Sequence, residues 1–277
     1  MTAWLNYNGK LIKADEPVIT AASRGFRYGD GLFETMRLTD GQLALADYHF
    51  DRLFEGMRLL DFAIPSRFTA SFFLEQIFAL CKKNGHEHTA RVRLMVFRDS
   101  SELFDAASTT PQYIIETFAL QDTGGFNENG LVLGLYEEAR KAPGKFSSIK
   151  SNNYLLYAMA ARYAKKQGWN DSLVLNTKGA ICDSAIANVF IIKNGIISTP
   201  SLKEGCVAGV MRRHLLATLP GLDYTVQEQT VTLQMLQEAD EVFLTNAVKG
   251  IRWVGCFNDI VYANKETTRI CNTLKLQ

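Results

Sequence analysis

The chain has 277 residues, 47% of them hydrophobic, with 30 Lys plus Arg against 29 Asp plus Glu. That length suits one large domain or two smaller ones, and that much apolar side chain builds a core and excludes disorder as the dominant state. A net charge of +1 leaves no bulk basic excess to attract nucleic acid or an anionic membrane. No apolar run approaches the ~20 residues of a membrane helix, and MTAWLNYNGK lacks the basic-then-apolar order of a secretory signal. The expectation is a cytoplasmic protein that works with neither nucleic acid nor membrane. Cys81, Cys182, Cys206, Cys256 and Cys271 are scattered without a CxxC pair. They read as reduced, mostly buried thiols, with no disulfide framework and no metal site.

The chain opens with hairpin grammar, Asn8-Gly9 between two apolar runs in WLNYNGKLI. Asp40-Gly41 and Asn194-Gly195 repeat the signal further along, so antiparallel pairs are expected and a purely parallel sheet is disfavoured. Between these, Tyr48–Leu60 carries Leu53, Phe54, Met57 and Leu60 at helical spacing. Thr69–Lys83 does the same with Phe72, Phe73, Ile77, Leu80 and Cys81 and stops at Asn84-Gly85. Strands are expected at Arg91–Arg98 and Tyr113–Leu120. The polar, glycine-rich run QDTGGFNENG (121–130) reads as a linker, dividing the chain into domains 1–120 and 131–277. Beyond it, a strand is expected at Leu131–Glu137, a helix from about Asn153 to Gln167 and short strands from Ser172 to Ser198. A helix opens after Gly209, another covers Leu233–Glu238, strands lie at Glu241–Thr245 and Asp259–Tyr262, and a closing helix starts near Lys265. Antiparallel strands with segregated helices define an α+β fold.

Several segments carry candidate chemistry. RGFRYGDGLFETMR (24–37) is a loop with tight backbone demands at Gly25, Gly29 and Gly31, and by itself it reads as structural. Lys150, in KSNNYLLYAMAARYAKK, sits just before a predicted helix start capped by Asn152 or Asn153, where burial and the helix terminus favour a nucleophilic amine. Taken alone, a lysine is far more often a solvated surface residue. Asp183 and Asn188, in ICDSAIANVF, occupy a turn into a buried strand, which an Asx turn also explains. Gly209 opens a helix whose first amides, at Val210 and Met211, form an anion site or a plain helix start. EVFLTNAVKGI (241–251) runs a strand into a small polar turn. Alternation puts Arg91 and Arg93 on one strand face and Arg98 on the other. Two arginines on one face suit carboxylates or simply line an exposed edge.

These segments occur in an order that resembles the class IV aminotransferases, the fold-type IV enzymes that use pyridoxal 5′-phosphate (PLP). The resemblance runs from YNGKLI through TNAVKGI. It implies two domains, a small N-terminal α/β domain and a larger C-terminal pseudo-barrel domain, with PLP between them, in a homodimer whose partner contributes a loop near the site. Residue by residue, Lys150 matches the lysine that holds PLP as a Schiff base. Asp183 matches the carboxylate facing the pyridine nitrogen, a position where the family usually carries Glu. Arg52, in YHFDRL, matches the phosphate-pairing arginine, Val210 and Met211 the helix-start amides on that phosphate, and Asn246 and Ala247 a second phosphate-side turn. Tyr154 resembles a tyrosine near the cofactor ring, and Asn188 fits the family signature as a structural residue. Met211 and Ala247 stand where many members carry Thr. Two missing hydroxyl bonds at ~1 kcal/mol each weaken PLP binding by roughly an order of magnitude.

Within the family, RGFRYGDGLFETMR and TNAVKGI most resemble 4-amino-4-deoxychorismate lyase. That enzyme expels pyruvate from its PLP-bound substrate and leaves 4-aminobenzoate for folate synthesis. Thr35 follows the Phe-Glu pair where branched-chain enzymes carry a small residue, and it is assigned to proton movement or substrate orientation. The substrate's two carboxylates suit Tyr28, Arg91, Arg93 or Arg98. The alternative is an aminotransferase acting on branched-chain or D-amino acids, which shares Lys150 and diverges only after Cα deprotonation. A second alternative, a PLP-binding protein with little turnover, rests on Asp183, Met211 and Ala247.

Overall fold

The computed structural model describes residues 3–99, 110–120 and 126–274. Residues 121–125 of the expected linker therefore lie outside the described residues. The chain divides into two compact units, one formed by residues up to 123 with Ile149–Tyr154, the other by Gly124–Ser148 with Leu155 onward.

The first unit runs β1 (Trp4–Tyr7), β2 (Lys10–Lys13), α1 (Arg24–Tyr28), β3 (Gly31–Thr39), β4 (Gln42–Leu43), α2 (Ala46–Leu59), α3 (Ala70–Asn84), β5 (Thr89–Arg98) and β6 (Pro111–Ala119). Its six strands form one antiparallel sheet in the order β2-β1-β6-β5-β3-β4. The hairpins fall where the X-Gly pairs predict. Asp40 and Gly41 both take positive φ, 50° and 74°, the primed-turn geometry that follows strand twist. Helix α3 begins where the Thr69 hydroxyl accepts from Phe72 N at 3.1 Å and ends at Gly85 in the left-handed region, the two termini its sequence signals. Alternation along β5 sends Val92, Leu94 and Val96 into a core closed by Leu53 and Met57 of α2 and Phe73, Ile77 and Leu80 of α3. Phe73 alone stacks or edges against Phe50, Phe54, Phe68, Phe72 and Tyr113. Each such buried side chain is worth about 1.5–3 kcal/mol. Glu34, Thr35, Arg91, Arg93 and Glu116 are among the polar residues of this sheet.

The second unit runs β7 (Leu131–Lys141), α4 (Leu155–Lys166), β8 (Asp171–Asn176), β9 (Ile181–Ser184), β10 (Asn188–Lys193), β11 (Ile196–Pro200), α5 (Val210–Thr218), β12 (Thr225–Gln229), α6 (Leu233–Gln237), β13 (Glu241–Asn246), β14 (Gly250–Phe257), β15 (Ile260–Val261) and α7 (Lys265–Thr273). Its nine-stranded sheet is ordered β12-β11-β10-β13-β14-β7-β8-β9, with β15 on β14. It mixes parallel pairs (β7 with β8 and β14, β11 with β12) with antiparallel ones. The sheet curls so that β9, at one end of the path, lies against β10 and β11. Its core joins Leu133, Leu173, Ile181, Val189, Val242, Leu244 and Val254.

Several elements differ from expectation. Strand β7 continues past Glu137 to Lys141, with an irregularity in its pairing to β8 between Tyr136 and Lys141. Strands β12 and β14 lie outside the expected elements, because TVQEQ has no apolar alternation and GIRWVGCF is interrupted by Gly255. Helix α4 opens at Leu155, so Lys150 is not at its N-terminus, and a dipole effect that fades within the first turn does not reach it. No described helix is long and apolar enough to cross a membrane.

Candidate active site

In the first unit, the segment carrying Lys150 is held by backbone pairing against the start of β3. Phe33 N donates to Lys150 O at 2.9 Å, Asn152 N donates to Gly31 O at 2.9 Å, and Ser151 bridges Leu32. The approach is so close that a Cβ on Gly31 would meet Val96 O at 2.4 Å and the Asn152 amide at 2.5 Å. Lys150 Nζ sits 4.4 Å from the centroid of the Phe33 ring and 5.1 Å from that of Tyr154, and the two rings meet edge to face at 5.3 Å. Backbone pairing and aromatic packing thus limit the freedom of this lysine, whereas a surface lysine keeps its full rotamer entropy.

The neighbouring residue on β3 faces the helices. Glu34, 2% exposed, accepts from Arg52 Nε at 2.8 Å and from Arg52 Nη2 at 2.5 Å, and His49 Nδ1 lies 2.6 Å away. Burial alone would raise this carboxyl. The Arg52 charge, with the hydrogen bonds from His49 and Arg52, overcomes that and holds it at about 2. Arg52 is therefore fixed in rotamer by a bidentate carboxylate.

On the opposite face of the same sheet, Thr35, Arg91, Arg93, Met95, Glu116 and Phe118 line a cavity of about 390 Å³. Thr35 and Arg93 are register partners across β3 and β5, and Arg93 faces Glu116 across β6. The Arg93 guanidinium stacks 4.4 Å from the Phe33 centroid and that of Arg91 4.4 Å from the Phe118 centroid. Burial lowers the pKa of Arg93; Glu116 opposes that shift and Arg91 adds to it. Arg98 does not join them. It pairs with Asp30 at 2.6 Å, donates to Leu60 O and stacks on Phe62. Arg24 holds the other oxygen of Asp30 at 2.9 Å, and residues 24–37, expected as a loop, instead form α1 and most of β3, joined by a short turn in which Gly29 takes a φ of 64°. Tyr28 is 40% exposed beneath Arg24.

In the second unit, Asp183 on β9 is 2% exposed and densely hydrogen-bonded. Its Oδ2 accepts from Tyr157 OH at 2.5 Å, Val207 N at 3.1 Å and Lys141 Nζ at 3.2 Å, and its Oδ1 accepts from Asn188 Nδ2 at 3.0 Å. Lys141 Nζ also donates to Tyr157 OH. Asn188 spans from Asp183 to Val207 O at 2.8 Å, which ties this carboxylate to the segment leading into α5. Burial, with the Asp183 charge second, pushes the nearby Cys206 thiol up to about 12, so it stays neutral. Helix α5 begins at Gly209, which offers no capping side chain, and Val210 and Met211 are buried. Its first amides are therefore helix donors without an intrahelical acceptor. Asn246 folds an Asx turn, accepting from Val248 N at 3.1 Å and Lys249 N at 2.8 Å, with Ala247 between them. The donor set fits PLP: an uncapped helix start for a phosphate, an ionisable carboxylate for a ring nitrogen and a lysine amine for a carbonyl carbon.

Sequence reasoning missed Glu34, His49, Lys141 and Tyr157. Glu34 and His49 were discoverable, since a charged residue inside the apolar alternation of β3 demands a partner. Lys141 and Tyr157 left no such trace, because one lies beyond the expected end of β7 and the other sits at an ordinary core position of α4.

Two architectures, a six-stranded antiparallel sheet backed by helices and a curled nine-stranded mixed sheet, make up the fold-type IV arrangement. The sequence matches the amino-transferase class IV family over residues 31–255. It is 31% identical to aminodeoxychorismate lyase of Bacillus subtilis over 249 residues, 87% of this chain and 82% of that one. It is 26% identical to D-alanine aminotransferase of Bacillus licheniformis, over 87% of this chain and 83% of that one. Among solved structures, the branched-chain aminotransferase from the archaeon Thermoproteus uzoniensis, crystallised with norvaline, superposes with a TM-score of 0.89 at 22% identity, covering 99% of this chain and 94% of that one. The chain belongs to the class IV aminotransferase family, and it is a PLP-dependent enzyme of that family.

Proposed function

We propose that the enzyme is a lyase that eliminates pyruvate from 4-amino-4-deoxychorismate and leaves 4-aminobenzoate. The observation that carries this reading is the cavity on the first sheet, which Thr35, Arg91 and Arg93 line together with Glu116. A substrate with two carboxylates calls for two such cations. The relatives support an aminotransferase equally, since D-alanine and branched-chain aminotransferases are both similar to this chain. The working form is taken to be a homodimer, as the family resemblance implies, and to work in the cytoplasm, as its scattered cysteines suggest.

When bound, PLP supplies an electron sink for the bond-breaking at substrate Cα. Lys150 would hold it covalently through Nζ and, once displaced, move the Cα proton. Asp183 would face its ring nitrogen and Tyr154 its ring. Arg52, the amides of Val210 and Met211, and the turn at Asn246 and Ala247 would take its phosphate. Arg91 and Arg93 would orient the substrate carboxylates, and Thr35 would donate or relay a proton beside them.

Borohydride reduction of the PLP-loaded protein, followed by peptide mass spectrometry, is expected to place the cofactor on Lys150; an adduct on another lysine removes that assignment. The reaction is decided by mixing the loaded enzyme with aminodeoxychorismate, or with single amino acids in the absence of a keto acid. Formation of 4-aminobenzoate and pyruvate supports the lyase. Stoichiometric conversion of the cofactor to its amine form by D- or branched-chain amino acids, without 4-aminobenzoate, establishes the aminotransferase in its place.

A further inference from the structure

The carboxylate assigned to the ring nitrogen is already engaged by a cation and a phenol. Lys141 and Tyr157 form a closed triangle with Asp183: Tyr157 OH donates to Oδ2 at 2.5 Å, Lys141 Nζ lies 3.2 Å from the same oxygen, and Lys141 donates to the phenol oxygen. The triangle is buried, with the Lys141 side chain 12% and that of Asp183 3% exposed. A purely structural contact of this kind costs desolvation of two charges for little net gain, so its presence beside a candidate cofactor contact calls for another account.

We propose that Lys141 and Tyr157 are positioning residues that set how strongly Asp183 holds a proton on the cofactor's ring nitrogen. The inference rests on the assignment of Asp183 to that nitrogen. The oxygen of Asp183 that accepts from Tyr157 and meets the Lys141 ammonium has part of its hydrogen-bonding capacity taken by those partners, so it holds a donor on the ring less tightly than a carboxylate that faces the ring alone. Lys141 is in addition a positive charge near the site where the ring nitrogen would be protonated, and like charges oppose each other. The two residues therefore moderate the electron sink. They also aim the shorter Asp side chain, with Asn188 restraining its other oxygen and Val207 N donating to the oxygen they share.

The test compares affinity for PLP with affinity for its analogue in which a CH replaces the ring nitrogen, in the full chain at constant pH. The ratio of the two dissociation constants reads only the contact to that nitrogen. Wild type is expected to prefer PLP, and Asp183→Asn to lose the preference. Lys141→Met is expected to raise the preference by about tenfold, the equivalent of one pKa unit. Tyr157→Phe is expected to raise it by a smaller factor, and Lys141→Arg, which keeps the charge, to leave it within about twofold of wild type. Thermal melting of each cofactor-free variant checks folding, and Lys141→Gln carries the same test should the Met variant not fold. A preference that is present in wild type and lost in Asp183→Asn, yet unmoved or lowered in folded Lys141 and Tyr157 variants, overturns the proposal alone. Equal affinities for both compounds in wild type and in Asp183→Asn overturn the assignment of Asp183 itself.

Discussion

At the scale of single residues, the buried charges of this protein are held by partners chosen for shape as well as sign. Glu34 lies in the hydrophobic layer of the first sheet, and it stays ionised because Arg52 meets it with two parallel hydrogen bonds while His49 approaches from the side. The pH consequence follows from the direction of its shift. Its folded value, about 2, lies below the ordinary carboxylate value of 4.5. Its contribution is therefore fully present above the unfolded value and is lost as pH falls from about 4.5 towards 2. That contribution is on the order of 3 kcal/mol. Urea unfolding midpoints of the wild type are expected to drop across that interval. Glu34→Gln is expected to be less stable at neutral pH, because it leaves Arg52 without a buried counter-charge, and to show a flatter pH dependence. Parallel pH profiles for the two proteins would show that another carboxyl governs the acid limb.

At the scale of elements, strand β3 and the start of helix α5 do most of the placing. Alternation along β3 turns Leu32, Glu34, Met36 and Leu38 towards the helices, and Phe33 and Thr35 towards Lys150 and Arg93. A slip of one residue would exchange the two sets, so the apolar half of the strand fixes the register in which Thr35 meets Arg93. Helix α5 depends on a different constraint. A Cβ on Gly209 would lie 1.8 Å from Asn188 Oδ1, and Asn188 cannot swing away without releasing Asp183 and Val207 O. Gly209→Ala is expected to destabilise the protein by about 1–3 kcal/mol, the usual range for forced overpacking. It is also expected to weaken PLP and inorganic phosphate alike, since the helix amides and the Asp183 contact move together. Calorimetric melting and phosphate titration check both parts, and a variant with unchanged affinity for phosphate would show that the α5 start takes no anion.

At the scale of the whole molecule, cofactor binding and stability are linked. PLP that binds the folded chain and not the unfolded one stabilises it by RT ln(1 + [L]/Kd), about 2.7 kcal/mol at roughly a hundredfold excess over Kd. For a chain of this size that corresponds to a rise in melting temperature of several degrees, at roughly 2–4 °C per kcal/mol. Lys150→Ala is expected to keep part of that rise, because the phosphate and ring contacts proposed for other residues do not involve it, and to lose the absorbance change that accompanies the proposed covalent link. Melting temperatures that do not respond to PLP in either protein would remove the cofactor site from this chain.

The local parts of this protein are legible along the chain. The X-Gly pairs set the hairpins, and the Thr69 cap and Gly85 set the ends of α3, because each depends on neighbours a few residues apart; the order of five segments, from residue 24 to residue 251, pointed to the family by resemblance. The remainder depends on contacts between distant segments. The segment 149–154 belongs with the first unit because its backbone completes the edge of β3, a pairing between segments far apart in the chain that no local pattern encodes. Arg91 and Arg93 separate from Arg98 because Asp30 and Leu60 claim the last of them. Lys141 and Tyr157 reach Asp183 because β7 runs beyond its apolar stretch and α4 packs across β7 and β8. Long-range pairing brings together groups whose spacing along the chain carries no period, and it sets Lys141 and Tyr157 against the carboxylate assigned to the cofactor.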